Sequence, residues 1–130
     1  MTTLGYVAAW VYLALTVVVC VFHASVMLGA PWGHLTMGGR WDGVLPPEGR
    51  VASLVSLGLL AGLAAVVLAR AGIVAWGLPF WAIWGVVGML CVGVIQHIAT
   101  PSAAERALWL PQILLMLVCA GIVAVSPAIP

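Results

Sequence analysis

The sequence predicts an all-α, polytopic membrane protein: four transmembrane helices in an up-down bundle, with a long ordered loop between the first two. Three observations carry this. The 130 residues are 65% hydrophobic and only 5% charged, whereas a soluble domain carries about a quarter charged residues. The apolar residues fall in four continuous runs, each near the ~20 residues that cross a ~30 Å hydrocarbon core at ~1.5 Å per residue. The runs do not alternate, and a membrane barrel would take at least about eight strands. The chain reads as one transmembrane domain over residues 1–130.

The first span covers about 5–28 and is stopped by Gly29, Ala30 and Pro31. It lacks a basic leader, and its apolar run exceeds the ~7–15 residues of a signal-peptide core, so it is read as a retained helix. The second covers 50–69, with Arg70 and Gly72 at its exit. The third covers 78–98, with Pro79 in the first turn, where proline is favoured. The fourth covers 102–125. There Ser102 and Glu105 have capping-box spacing. Pro111 removes a backbone donor inside that helix, which predicts a kink of the kind neighbouring helices accommodate.

Helices in lipid associate where small residues let backbones approach. Gly58 and Gly62, extended by Ala65 and Ala69, supply such a stripe in the second helix; Gly85 and Gly88, with Ala82, supply one in the third. Both read as helix contacts, within the bundle or between copies. Tyr6, Trp10, Trp76, Phe80, Trp81 and Trp84 gather at the face holding the N-terminus, and Trp32, Trp41 and Trp109 at the other. Aromatic belts at both boundaries account for the seven tryptophans.

An even number of crossings returns the termini to one side and places the first and third loops together on the other. That side receives His34, Arg40, Asp42, Glu48, Arg50, Glu105 and Arg106, and the ends of helices carrying His23, Gln96 and His97. Only Arg70 lies elsewhere. Arginine asymmetry then orients the long loop to the cytoplasm. The loop over 29–49 exceeds the ~12–15 residues usual for a plain connection. Its tryptophans, paired prolines and Asp42–Gly43 turn read either as an ordered cap over the bundle mouth or as an interfacial connector.

Ionisable groups at membrane depth are functional candidates because burying their charge is costly. His23 and His97, on different helices at similar depth, are a candidate axial pair for a b-type haem. Cys20, His23 and Met27 share a helical face, with the soft ligands that suit Cu(I). The alternative is that the imidazoles only pack and hydrogen-bond between helices. Cys20, Cys91 and Cys119 lie in apolar runs, without a CxxC pair or a disulfide framework, and read as small buried hydrophobes. His34, Arg40, Asp42 and Glu48 hold the groups for a base and an anion clamp acting on a lipid-soluble substrate, but no catalytic signature accompanies them. A net charge of +1 gives no field for nucleic acid.

GAPWG at 29–33, the Gly38–Gly39 pair, VLPP at 44–47 and TPSAAERALWLP at 100–111 resemble an uncharacterised family of small four-helix bacterial membrane proteins. The resemblance implies the bacterial cytoplasmic (inner) membrane and the same four-helix plan, and brings no catalytic residue with it. The reading carried forward is a small membrane accessory or ligand-binding protein, its polar cap formed by the first and third loops. Its expected partners are the bilayer and a second copy or larger membrane complex. A haem or copper protein using His23 and His97 is the alternative, followed by a small membrane enzyme.

Overall fold

The computed structural model describes residues 1–127. Four helices follow in order: α1 Thr3–Met27, α2 Pro47–Arg70, α3 Ala82–Ala99 and α4 Ala103–Val125. Each is long and apolar enough to cross a membrane, and no strand forms among the described residues. The protein is a four-helix, multi-pass membrane bundle.

Local chemistry sets the helix ends. The Thr2 hydroxyl accepts the Gly5 N–H at 3.0 Å and opens α1. Helix α2 starts earlier than predicted, with Pro47 in its first turn, where a missing N–H costs nothing. Helix α3 starts at Ala82, later than predicted. Pro79 does not open it; the Pro79 carbonyl instead accepts the Ala82 N–H at 2.9 Å and closes the turn before it. The 18 residues of α3 still rise ~27 Å, close to a hydrocarbon thickness. Helix α4 stays helical on both sides of Pro111.

Only half of the predicted capping box forms. The Ser102 hydroxyl accepts the Glu105 N–H at 3.1 Å. The Ser102 N–H turns to the Thr100 hydroxyl, and the Glu105 carboxylate is released for other partners.

Helix parity is realised at both ends. At one, the Thr2 and Ser126 hydroxyls are 3.1 Å apart and Arg70 donates to the Ser126 carbonyl at 2.6 Å, so the chain's start meets the ends of α2 and α4. At the other, the first and third loops meet. Arg50 donates to the Met27 carbonyl at the end of α1, and Arg106 to the carbonyls of Ile98 and Thr100 at the end of α3. Three arginines thus answer the orphan carbonyls that every helix C-terminus presents.

Helix α1 packs on α2 and α4, and α4 on α1 and α3, while α2 and α3 meet only slightly. Two apolar cores result. One, around Tyr12, Val67, Val86, Ala120 and Val123, fills the half of the bundle nearer the termini. The other, Phe22, Val26, Leu45 and Trp109 with Leu35, Met37 and Trp41, seals the loop end.

The splay of α2 from α3 corrects the expectation of glycine packing inside the bundle. Gly58, Gly62, Gly85 and Gly88 are all exposed, and a Cβ at any of them would meet open space. The faces that do pack carry Ser53, Ala64 and Val67 on α2, and Ile83, Val86 and Leu90 on α3. The glycine of close approach is Gly93, where a Cβ would come within 2.5 Å of the Ile113 Cδ1.

Candidate functional site

The loop between α1 and α2 is an ordered cap. It runs through two short 3-10 turns, Gly33–Leu35 and Met37–Gly39. Gly33 sits where only hydrogen fits: a Cβ would lie 2.5 Å from the Trp41 carbonyl oxygen and 2.7 Å from that of Gly43. Gly38 takes φ +71°, which l-residues with a side chain rarely adopt. That turn aims the Gly38 N–H at Glu105 Oε2, 2.8 Å away. Two further bonds of 2.8 Å fix the cap to α4, from the Ser102 hydroxyl to the His34 carbonyl and from Trp109 Nε1 to the Leu35 carbonyl.

Below this cap, between the two apolar cores, lies a cleft of about 420 Å³, within the ~300–1,000 Å³ usual for small-molecule sites. Its sides are Ser56, Leu59, Leu60 and Leu63 of α2 and Met89, Val92, Gly93, Gln96 and His97 of α3. Its floor is Val19, Phe22 and His23 of α1 with Glu105, Trp109, Gln112 and Met116 of α4. A second cavity of about 380 Å³ adjoins it beside Thr100 and Pro101, and the two share Met37, Gln96, His97 and Glu105 as lining residues. The weak contact between α2 and α3 leaves the cleft facing the lipid between them.

Polar groups gather at the capped end of this largely apolar space. His97 is half-buried, and its Nδ1 lies 2.7 Å from the Gly93 carbonyl. A carbonyl only accepts, so Nδ1 carries the proton and Nε2 of the neutral ring is an acceptor. His23 is 9% exposed, and its Nδ1 is buried without a hydrogen-bond partner. Glu105, also 9% exposed, takes Gly38 N–H and the Thr100 hydroxyl on Oε2, the latter at 3.0 Å. Gln112 donates across the bundle to the Leu15 carbonyl at 2.8 Å, joining α4 to α1.

Of the candidates read from the sequence, His23, Gln96, His97 and Glu105 come together at this cleft. His34, Arg40, Asp42 and Glu48 do not. All four are exposed, His34, Arg40 and Asp42 in the cap and Glu48 in the first turn of α2, and Arg40 lies over the Trp41 ring, 4.9 Å from its centroid. The base-and-clamp arrangement expected of them is therefore not assembled around the cleft, because the cap turns its polar side chains to water and its backbone to α4. Arg106 is engaged with the end of α3. Cys20 and Met27 flank His23 in sequence without lining the cleft. Among the described residues no group of three or more His, Cys, Asp or Glu converges.

Trp109 and Gln112 were not singled out as site residues. Trp109 is 8% exposed; it packs edge-on against Phe22 with centroids 4.7 Å apart, and so is a peg for the cap rather than a membrane anchor. Their signal lies in spacing. Glu105, Trp109, Gln112 and Met116 fall at i, i+4, i+7 and i+11, one face of α4, and three of the four interrupt an apolar run with a polar atom. No known protein family, curated protein or solved structure matches the chain.

Proposed function

We propose that this is a ligand-binding protein of the bacterial inner membrane that takes an amphiphile from the lipid phase through the gap between α2 and α3. The ligand's chain lies along Leu59, Leu60, Leu63 and Val92, and its polar end sits under the cap. The observation that carries this is the division of one cleft into an apolar lipid-facing part and a polar end lined by Gln96, His97 and Glu105. Convergent polar groups at one end of an apolar cleft fix the orientation of a bound amphiphile. The capped end faces the cytoplasm, in keeping with three of the four arginines lying there.

The test is photocrosslinking in lipid nanodiscs with a monoacyl amphiphile bearing a diazirine in its chain. Labelling is expected to concentrate on Leu59, Leu60 and Val92, above outward-facing Val17 and Val118. Even labelling around the bundle rejects the reading.

A second reading has its own observation. His23 and His97 line the same cleft, and His97 holds its ring by an Nδ1–H bond to a backbone carbonyl, the support that ligating imidazoles usually receive. A haem or copper ion held by the pair predicts a Soret band or stoichiometric copper in the purified protein. Both signals would be lost in His23→Ala and in His97→Ala. Metal content unaffected by either substitution removes this reading.

A further inference from the structure

The chemistry of the capped end restricts what the cleft accepts, and this step rests on the amphiphile-binding reading above. Three polar side chains line both the cleft and the second cavity: Glu105, His97 and Gln96. Glu105 is an acceptor, and its two donors, the Gly38 N–H and the Thr100 hydroxyl, are neutral and both act on Oε2. With Nδ1–H engaged by its own helix, the neutral His97 ring presents Nε2 as an acceptor.

No cation of the chain among the described residues answers that carboxylate. Beside its three histidines, the sequence has four residues of the Lys/Arg class, all arginine. Arg50 is held at the end of α1, Arg106 at the end of α3 and Arg70 at the opposite face of the membrane. Arg40 lies on Trp41, outside the cap. A carboxylate nine-tenths buried with only neutral donors lacks the opposite charge that normally accompanies such burial. Trp109 adds an aromatic face to the same end of the cleft, the kind of surface that attracts organic cations.

We propose that the cleft selects single-chain amphiphiles with a protonated amine headgroup. The ammonium lies at Glu105 and donates to its carboxylate and to His97 Nε2. The alkyl chain runs out between α2 and α3, and the adjoining cavity beside Thr100–Pro101 lets the headgroup keep part of its hydration. A neutral headgroup leaves the carboxylate unanswered, and an anionic one is repelled by it.

The test compares dodecylamine, dodecanol and dodecanoate binding to the purified full chain by native mass spectrometry from nonionic detergent. One dodecylamine per chain is expected, with apparent affinity at least tenfold above dodecanol and dodecanoate. Glu105→Gln keeps an oxygen to accept from Gly38 and Thr100, and is expected to abolish the preference while retaining dodecanol-level binding. Equal binding of amine and alcohol to the wild-type chain, or preference for dodecanoate, overturns the charge selection and leaves amphiphile binding standing. So does a Glu105→Gln variant that keeps the amine preference. Failure of all three probes to bind overturns both.

Discussion

Glu105→Ala tests how the cap is held. In the native chain the Gly38 N–H is committed to a carboxylate at 2.8 Å, and hydrogen bonds to charged groups are worth about 1.5–3 kcal/mol net. Alanine removes that acceptor and leaves the Thr100 hydroxyl proton without its acceptor as well. The two remaining cap bonds, from Ser102 and from Trp109, stay in place, so the turn at 37–39 should open locally without unfolding the bundle. At about 1.4 kcal/mol per tenfold change, the amide of Gly38 is expected to exchange roughly ten to a hundred times faster with deuterium. Glu105→Gln keeps a neutral acceptor, worth about 0.5–1.5 kcal/mol, and should fall between the two. The assay is hydrogen exchange on the peptide covering 33–44, with a peptide from the middle of α1 as internal control. Unchanged exchange at Gly38 in the alanine variant would refute the claim that Glu105 holds the cap.

Other expectations follow from the same geometry. Trp109→Phe keeps the ring against Phe22 but strands the Leu35 carbonyl, and should cost about 1–3 kcal/mol in detergent thermal or denaturant melts. Arg50→Lys is expected to behave nearly as poorly as Arg50→Ala in melting temperature, because Nε and Nη1 serve two different carbonyls, Leu45 and Met27, and a single ammonium does not span that fork. Gly58→Ala and Gly62→Ala face open space and should be neutral or up to ~1 kcal/mol stabilising through helix propensity; a clear loss of stability would show that these faces are covered by a second copy. Gly93→Val drives its side chain into Ile113 and is expected to lower melting temperature more than Gly88→Val.

The architecture was legible because solvent choice dominates it. A chain this apolar has few alternatives to crossing a bilayer, and run length alone placed three helix starts close to their positions. The start of α3 was less accessible. Pro79 is equally compatible with a first turn and with the turn before one, and only the bond from Ala82 to the Pro79 carbonyl decides between them. Parity grouped the polar residues at the correct end, yet it says nothing about azimuth. That is why His34, Asp42 and Glu48 shared an end with His97 and Glu105 without sharing the cleft. The glycine stripes failed for a related reason: GxxxG marks a face that permits close approach, and the choice of face depends on the packing of Ser53, Ala64 and Val67. The capping box shows a tertiary partner overriding a local one, because the Gly38 amide competes for the carboxylate that the helix terminus would otherwise use.

Helices adjacent in sequence usually pack together, and here α2 and α3 scarcely touch. The molecule is therefore two helical hairpins, α1–α2 and α3–α4, laid side by side along the α1–α4 seam. Each hairpin can insert and pair locally before the two dock, in the manner of two-stage assembly in membranes. The segment 71–81 acts as a tether whose severance the seam should survive, so that fragments divided within it would reassemble when coexpressed. Gln112, reaching across that seam to Leu15, then does more than satisfy its own amide. It pins one hairpin to the other at the depth of the cleft that it also lines.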